Sequence, residues 1–500
     1  MNRTTLSLIA AATALAAVTG FAALTTPETP AADDTARAAA RLPVERTSLL
    51  CPSPSTSDLA ETTYSSFTPV TKGTESKGSA ELLPAPVDGD GEAEGAKESE
   101  KPDAGKAEPV LEPGEPGRQA TGDVSGGEAP ALIGTADGRY APGWTVQQTT
   151  EVTAGTGRGL QGVTCTAPDT EFWFPGTSTS ADRTDYVHLT NPDDSAAVVD
   201  IELYGKDGAL KSTVGEGITV RGRSSEPVLL STLTEERQSD VTVHVVVRSG
   251  RVGAAVQALD DKLGGDWLAA STDPAGSLII PGIPKDATAV RLVAFAPGDS
   301  DADLNVRLAS PTGSITPAGH ETLHVKGGMT AAVDLGDITR GEPGSLVLTP
   351  TDRSVPVVAA VRVLRGKGDA QESAFIPAAR PVSGRATAVG NTAKETTLSV
   401  TSPEATARIK VTASPTGEDG TPATKTYTIK RGTTQDITAP VPEGAKGGYA
   451  LTIEPETDTP VYATRTLTSG KTAFTSQTLP DDRGMVAVPE ARQDLSVLQK

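Results

Sequence analysis

From about residue 172 the chain runs in short stretches that alternate apolar and polar side chains. Tyr186-Val187-His188-Leu189, Arg291-Leu292-Val293-Ala294 and Thr397-Leu398-Ser399-Val400 are examples. Period-two alternation puts one face of each stretch inward, which is the pattern of a half-buried strand. β-Branched residues fill the stretches, and Gly or Pro stands at nearly every junction. No stretch of useful length after the N-terminal leader keeps a helical period.

The strands recur in register. Each of the three quoted above is followed by a proline, Pro192, Pro297 and Pro403, at spacings of 105 and 106 residues. A second strand then ends at a glycine turn, at Gly208, Gly313 and Gly417. Next come Ile218-Thr219-Val220, Leu323-His324-Val325 and Tyr427-Thr428-Ile429, and later Val252 to Ala258, Pro356 to Val363 and Pro460 to Thr466. An apolar strand closing on proline opens each unit: Phe172-Trp173-Phe174-Pro175, Leu278-Ile279-Ile280-Pro281 and Ala374-Phe375-Ile376-Pro377. Val486-Ala487-Val488-Pro489 reads as the start of a further copy. Units of about 100 residues with about seven strands each are long enough to own a core. The expected fold is all-β: three tandem immunoglobulin-like antiparallel β-sandwiches arranged as a rod. Their boundaries are 131–277 (with N-terminal extension strands), 278–373 and 374–500.

The N-terminal part is organised differently. Arg3 precedes an uncharged stretch, Thr4 to Thr26, followed by Glu28, Asp33 and Asp34. This is an export signal over residues 1–26, either cleaved or kept as a membrane tether through residues 4–26. It places the body of the protein outside the cytoplasm. Residues 27–70 hold a strand at 44–51. Residues 71–130 carry fourteen acids, six bases and no aromatic residue. Such a composition cannot bury enough apolar surface to fold, so a disordered acidic Gly/Pro/Glu linker is expected there. The chain has two cysteines, Cys51 and Cys165, each at the end of a β-rich run. In an oxidising compartment one Cys51–Cys165 bridge is the economical reading. Two free thiols, or pairing to another chain, are the alternatives.

A net charge of -20 and 3% aromatic content argue against nucleic acid and anionic lipid as partners. The leader, Arg46-Thr47-Ser48-Leu49-Leu50-Cys51-Pro52, Arg158 to Cys165, Phe172-Trp173-Phe174-Pro175-Gly176 and Leu189-Thr190-Asn191-Pro192 carry a resemblance. Together they resemble actinobacterial secreted proteins grouped as a domain of unknown function. The resemblance implies a compartment and an architecture, and no catalytic residue.

Four motifs invite a chemical reading. His320-Glu321-Thr322-Leu323-His324 is a literal H-E-x-x-H, which holds zinc only on a helix. Here it aligns with strands of the sister units, and on a strand His320 and His324 stand about 13 Å apart, too far to share one ion. Asp299-Ser300-Asp301-Ala302-Asp303 opens like a calcium loop, but Leu304 and Ser310 stand where that loop needs Gly and Glu. Gly157 to Gly162 fits G-x-G-x-x-G but leads into a strand, so no helix N-terminus cradles a phosphate. Ser469-Gly470-Lys471-Thr472 resembles a Walker tail, but Arg465 occupies the place of its first glycine. His188 and His244 fall inside strands with no nucleophile beside them. Trp144, Trp173 and Trp267 read as packing residues, with a sugar platform as the alternative. No catalytic residue, metal site or cofactor is expected. The expected role is an exported, non-catalytic structural or interaction protein of the cell envelope, its partner an envelope protein or polysaccharide. A polysaccharide-binding module is the alternative, and a zinc hydrolase the remote one.

Overall fold

The computed structural model describes residues 40–74, 77–86, 108–212, 214–417, 420–444 and 447–488. The uncharged leader and residues 87–107 of the acidic segment lie outside these. The described residues between 42 and 486 form one compact unit; the described residues of the other unit, 40–41 and 487–488, are β-strand. No helix of the described residues is long and apolar enough to cross a membrane.

The second sandwich shows the plan. Its strands are Glu171–Thr177, Arg183–Thr190, Ala197–Gly205, Ile218–Val220, Ser225–Leu229, Val241–Ser249, Gly253–Asp260 and Gly264–Leu268. The first, sixth, third and fourth form one antiparallel sheet, and the fifth, second, seventh and eighth form the other. Pairing second with fifth and third with sixth is the Greek-key centre of immunoglobulin-like sandwiches. The first and seventh strands differ, because each pairs into the opposite sheet. The sandwiches spanning 278–377 and 386–479 repeat this order strand for strand. The proline corners at Pro192, Pro297 and Pro403 fall at equivalent connections, between the second and third strands of each.

The first sandwich precedes these three, making four where three are expected. Arg46–Cys51, Ala131–Asp137 and Ala80–Ala85 form one sheet, and Ala120–Ser125, Ala60–Phe67, Thr145–Val152 and Gly159–Thr164 the other. The order matches the later copies. The expectation of a disordered linker over 71–130 is therefore corrected: Ala80–Ala85 and Ala120–Ser125 are strands within it. Their side chains lean on partners rather than on their own composition. Leu82 is buried in a core with Leu49, Leu132, Tyr64, Val146 and Trp144.

Two further boundaries shift. Ala374 to Pro377 does not open a unit; Glu372–Pro377 pairs with Val358–Arg365 as the last strand of the third sandwich. The fourth sandwich opens at Ala386–Asn391. Met485–Val488 belongs to a two-stranded ribbon and starts no further sandwich; Pro489 lies outside the described residues.

Each sandwich has its own core between its two sheets. Part of each outer face is buried against a neighbouring sandwich, and this makes the compact unit a closed ring instead of a rod. Val163, Ala255 and Trp267 pack together between the first and second sandwiches. Trp173, Phe295 and Val358 do so between the second and third. Between the third and fourth, Ser345 bonds Thr401 at 2.6 Å and Thr434 at 2.9 Å, and the Thr464 hydroxyl donates to the Pro281 carbonyl. The ring closes where the fourth meets the first. Phe67, Val389 and Ala450 form a small cluster there. The Val389 N–H donates to Gln147 Oε1 at 2.8 Å, and the Gly390 N–H donates to Gln119 Oε1 at 2.7 Å. A rod would expose these apolar and amide groups; ring closure buries and pairs them.

Candidate functional site: an axial cavity

The last strands of the four sandwiches, Gly159–Thr164, Gly264–Leu268, Glu372–Pro377 and Ala473–Leu479, neighbour one another in a closed cycle. They are buried almost throughout. Close approach needs small residues. A Cβ on Gly162 would sit 2.7 Å from the Thr475 side chain.

A cavity of about 590 Å³ opens at the C-terminal ends of these strands. Each sandwich contributes to it: residues 162–167 and 169 from the first and the connection after it, 267 and 269–273 from the second, 375 and 377–381 from the third, and 476–483 around the end of the fourth. The volume lies in the range of small-molecule sites. Its wall is partly apolar, with Leu49, Trp144, Phe375 and Leu479, and otherwise rich in hydroxyls, including Thr166, Thr272, Thr387 and Thr478. Three buried polar atoms of the wall residues have no hydrogen-bond partner: Trp267 Nε1, Gln477 Nε2 and Thr387 Oγ1. Orphaned buried polar atoms are uncommon in folded proteins.

The carboxylates of the wall are engaged within the chain. Asp273 accepts from Arg380 at 2.9 Å. Asp481 Oδ1 accepts the backbone N–H groups of Ser383, Gly384 and Arg385. Asp482 pairs with Arg385. Glu171 accepts from His244 Nε2 at 3.0 Å and from Trp173 Nε1 at 3.1 Å.

Two ionisable side chains are fully buried among the inner strands. Asp266 Oδ1 accepts from the Gly162 N–H at 3.1 Å and the Thr475 hydroxyl at 3.0 Å, and Oδ2 faces the Phe375 N–H at 3.4 Å. It thus touches the other three sandwiches from the second. Burial pushes its carboxyl up to about 8, against the pull of these donors. Arg465 bonds the Val389 carbonyl and Gln477 Oε1, and burial lowers its guanidinium to about 9. At the start of the inner strands Glu372 is raised to about 7 by burial, opposed by Arg158 at 3.5 Å.

The motifs take non-catalytic places. His324 lies on the strand Thr322–Val325, paired with residues 302–305, and its Nδ1 bonds Asp303 at 2.8 Å. The Glu321 carboxylate accepts from the Gly319 N–H. Asp301 Oδ1 accepts the Gly327 N–H in a turn. Gly159–Thr164 is strand, and Ser469 to Thr472 is a hairpin turn. Trp144, Trp173 and Trp267 are buried, so none offers an exposed platform. Trp144 donates to Ser66 Oγ, and Trp173 stacks on His244 with ring centres 3.5 Å apart. His188 is pushed down to about 4 by burial. Cys51 and Cys165 are joined by a disulfide, with Cα atoms 4.4 Å apart. The cavity is not legible in the sequence because its wall is drawn from segments scattered between residues 47 and 483. No local pattern in the sequence marks it.

The architecture is thus a ring of four Greek-key β-sandwiches around an axial cavity. The chain belongs to the family described as Family of unknown function (DUF5719), whose model matches residues 120–440. That span runs from the first sandwich into the fourth. A comparison with curated proteins gives no match.

Proposed function

We propose that the protein is a non-catalytic interaction protein of the cell envelope, exported by its N-terminal leader and binding its partner through the ring. The observation that carries this reading is the axial cavity, to which all four sandwiches contribute. Rigid elements positioning converging loops are a common way to build a binding site. The Cys51–Cys165 bridge supports a place outside the cytoplasm, since such bonds persist in oxidising compartments. His320 and Glu321 lie in the loop before the strand Thr322–Val325 that carries His324, so the motif is not on a helix, which speaks against the zinc-hydrolase alternative. The resemblance of the leader and of the motifs around both cysteines supports an actinobacterial secreted protein.

Cell fractionation combined with thiol labelling tests this. The expected result is recovery in an extracytoplasmic fraction with Cys51 and Cys165 bridged. Recovery in the cytosol with both thiols labelled contradicts it.

A further inference from the structure

We infer that Asp266 is a proton-operated latch of the ring. Holding its proton, it lets the four inner strands close around it; ionised, it parts the second sandwich from its neighbours and loosens the axis beside the cavity. As a control on the binding site it rests on the reading given above, and it names what regulates that site.

The first observation is placement. Asp266 stands in the middle of Gly264–Leu268, the last strand of the second sandwich, and is fully buried. Its carboxylate reaches Gly162 of the first sandwich, Phe375 of the third and Thr475 of the fourth. Gly162, Phe375 and its chain neighbour Trp267 also line the cavity. A movement around this carboxylate is therefore a movement of the cavity wall.

The second is the lack of a counter-charge. Among the described residues no cation pairs with Asp266. The inner strands Gly159–Thr164 and Ala473–Leu479 carry no ionisable side chain. On Glu372–Pro377 the one such group, Glu372, stands at the start, with Arg158 at 3.5 Å. On Gly253–Asp260, paired with the strand of Asp266, Asp260 takes Arg362 at 2.8 Å. One strand further, Asp185 takes Arg183 at 2.6 Å. Both arginines lie over the Phe375 ring. Arg465, on the strand paired with Ala473–Leu479, bonds Gln477. Ionised, Asp266 would have neutral donors and no cation, and a buried charge so placed is costly. Burial accordingly raises the carboxyl to about 8.

The third is the way the charge can be relieved. Each sandwich has its own core between its sheets, so hydrating Asp266 requires none of them to unfold. The second sandwich meets the first through Val163, Ala255 and Trp267, and the third through Trp173, Phe295 and Val358. Parting them gives up these small clusters, whereas unfolding a sandwich gives up a whole core. The closed ring binds the proton more tightly than an open one whose carboxyl is hydrated. Closure is thus favoured at low pH and weakens as pH rises from about 4 towards 8.

The test is labelling of single-cysteine variants of the full-length chain, whose own two cysteines are bridged. N-ethylmaleimide is used at pH 6 and pH 8. Rates are divided by those of the urea-unfolded protein at the same pH, which removes the thiol's own pH dependence. Val358→Cys reports on the contact between the second and third sandwiches, and Val243→Cys on the second sandwich's own core; both positions are fully buried. The expected result is that Val358→Cys labels at least about tenfold faster at pH 8 than at pH 6. At pH 8 it should also label at least about tenfold faster than Val243→Cys. Adding Asp266→Asn, or Asp266→Ser should that protein not fold, abolishes the rise. Adding Glu372→Gln, which removes the other raised carboxyl of the inner strands, leaves it in place. The inference falls if Val358→Cys labels alike at both pH values, or if the rise survives loss of the Asp266 carboxyl. It falls equally if Glu372→Gln abolishes the rise, or if Val243→Cys keeps pace, since the ring then opens only by unfolding. No ligand enters the experiment, so its failure is separate from failure of the envelope reading, which fractionation decides.

Discussion

Asp266 concentrates the residue-scale physics of the ring. Its carboxyl is fully buried, meets three other sandwiches, and is raised to about 8 from the usual range near 4. A group whose folded pKa is raised binds its proton more tightly in the native state. Its stabilising contribution is complete below about pH 4 and is lost as pH rises towards 8, at about 1.4 kcal/mol per unit. Denaturant unfolding between pH 5 and pH 8 should show this decline in the wild type. Asp266→Asn should flatten it and be the more stable protein at pH 8; an unchanged slope would remove Asp266 as its source. Cys51 and Cys165 were readable from count and compartment alone. Reducing their bridge, which spans 114 residues, should cost about 2–5 kcal/mol, seen as a lower melting temperature of a Cys51→Ser, Cys165→Ser protein. Asp266 was not readable, because no local pattern distinguishes a carboxylate at a ring axis from one on a surface strand.

Strands were legible where apolar and polar residues alternate. The alternation around Tyr186, Leu292 and Leu398 marked the second strand of three sandwiches, and the prolines after them marked equivalent corners. The first sandwich carries the same mark in Phe67-Thr68-Pro69. An acidic insertion between its third and fifth strands shifted the spacing and hid it. Inner strands were misassigned for a physical reason. Buried on both faces, Ala374–Pro377 shows the same apolar run closing on proline as the opening strand Leu278–Ile283, so the sequence pattern does not distinguish a last strand from a first. Two predictions belong to this scale. His324→Ala should lose only exposed contacts with Asp303 and Asp301, worth about 0.2–1 kcal/mol, and neither it nor His320→Ala should change zinc content by metal analysis. Gly162→Val should force a side chain against Thr475 and destabilise the ring by about 1–3 kcal/mol in thermal or chemical unfolding.

For the whole molecule, the sequence reading reached the sandwiches and missed their closure. Tandem repeats in sequence are equally compatible with a rod and a ring. The choice lies in contacts across the longest separations in the chain, such as Gln119 with Gly390 and Gln147 with Val389. Amides at these positions look like ordinary surface residues until the fourth sandwich covers them. The cavity follows from closure, since no subset of the sandwiches surrounds it. Glu151 and Ser469 offer the most direct measurement. They belong to the first and fourth sandwiches, and their side chains meet at 2.9 Å near the protein surface. A Glu151→Cys, Ser469→Cys protein, treated with a short bifunctional maleimide and analysed by peptide mass spectrometry, should yield an intramolecular 151–469 cross-link in high proportion in the monomer. A monomer that yields none, with both introduced thiols singly labelled, would contradict the ring.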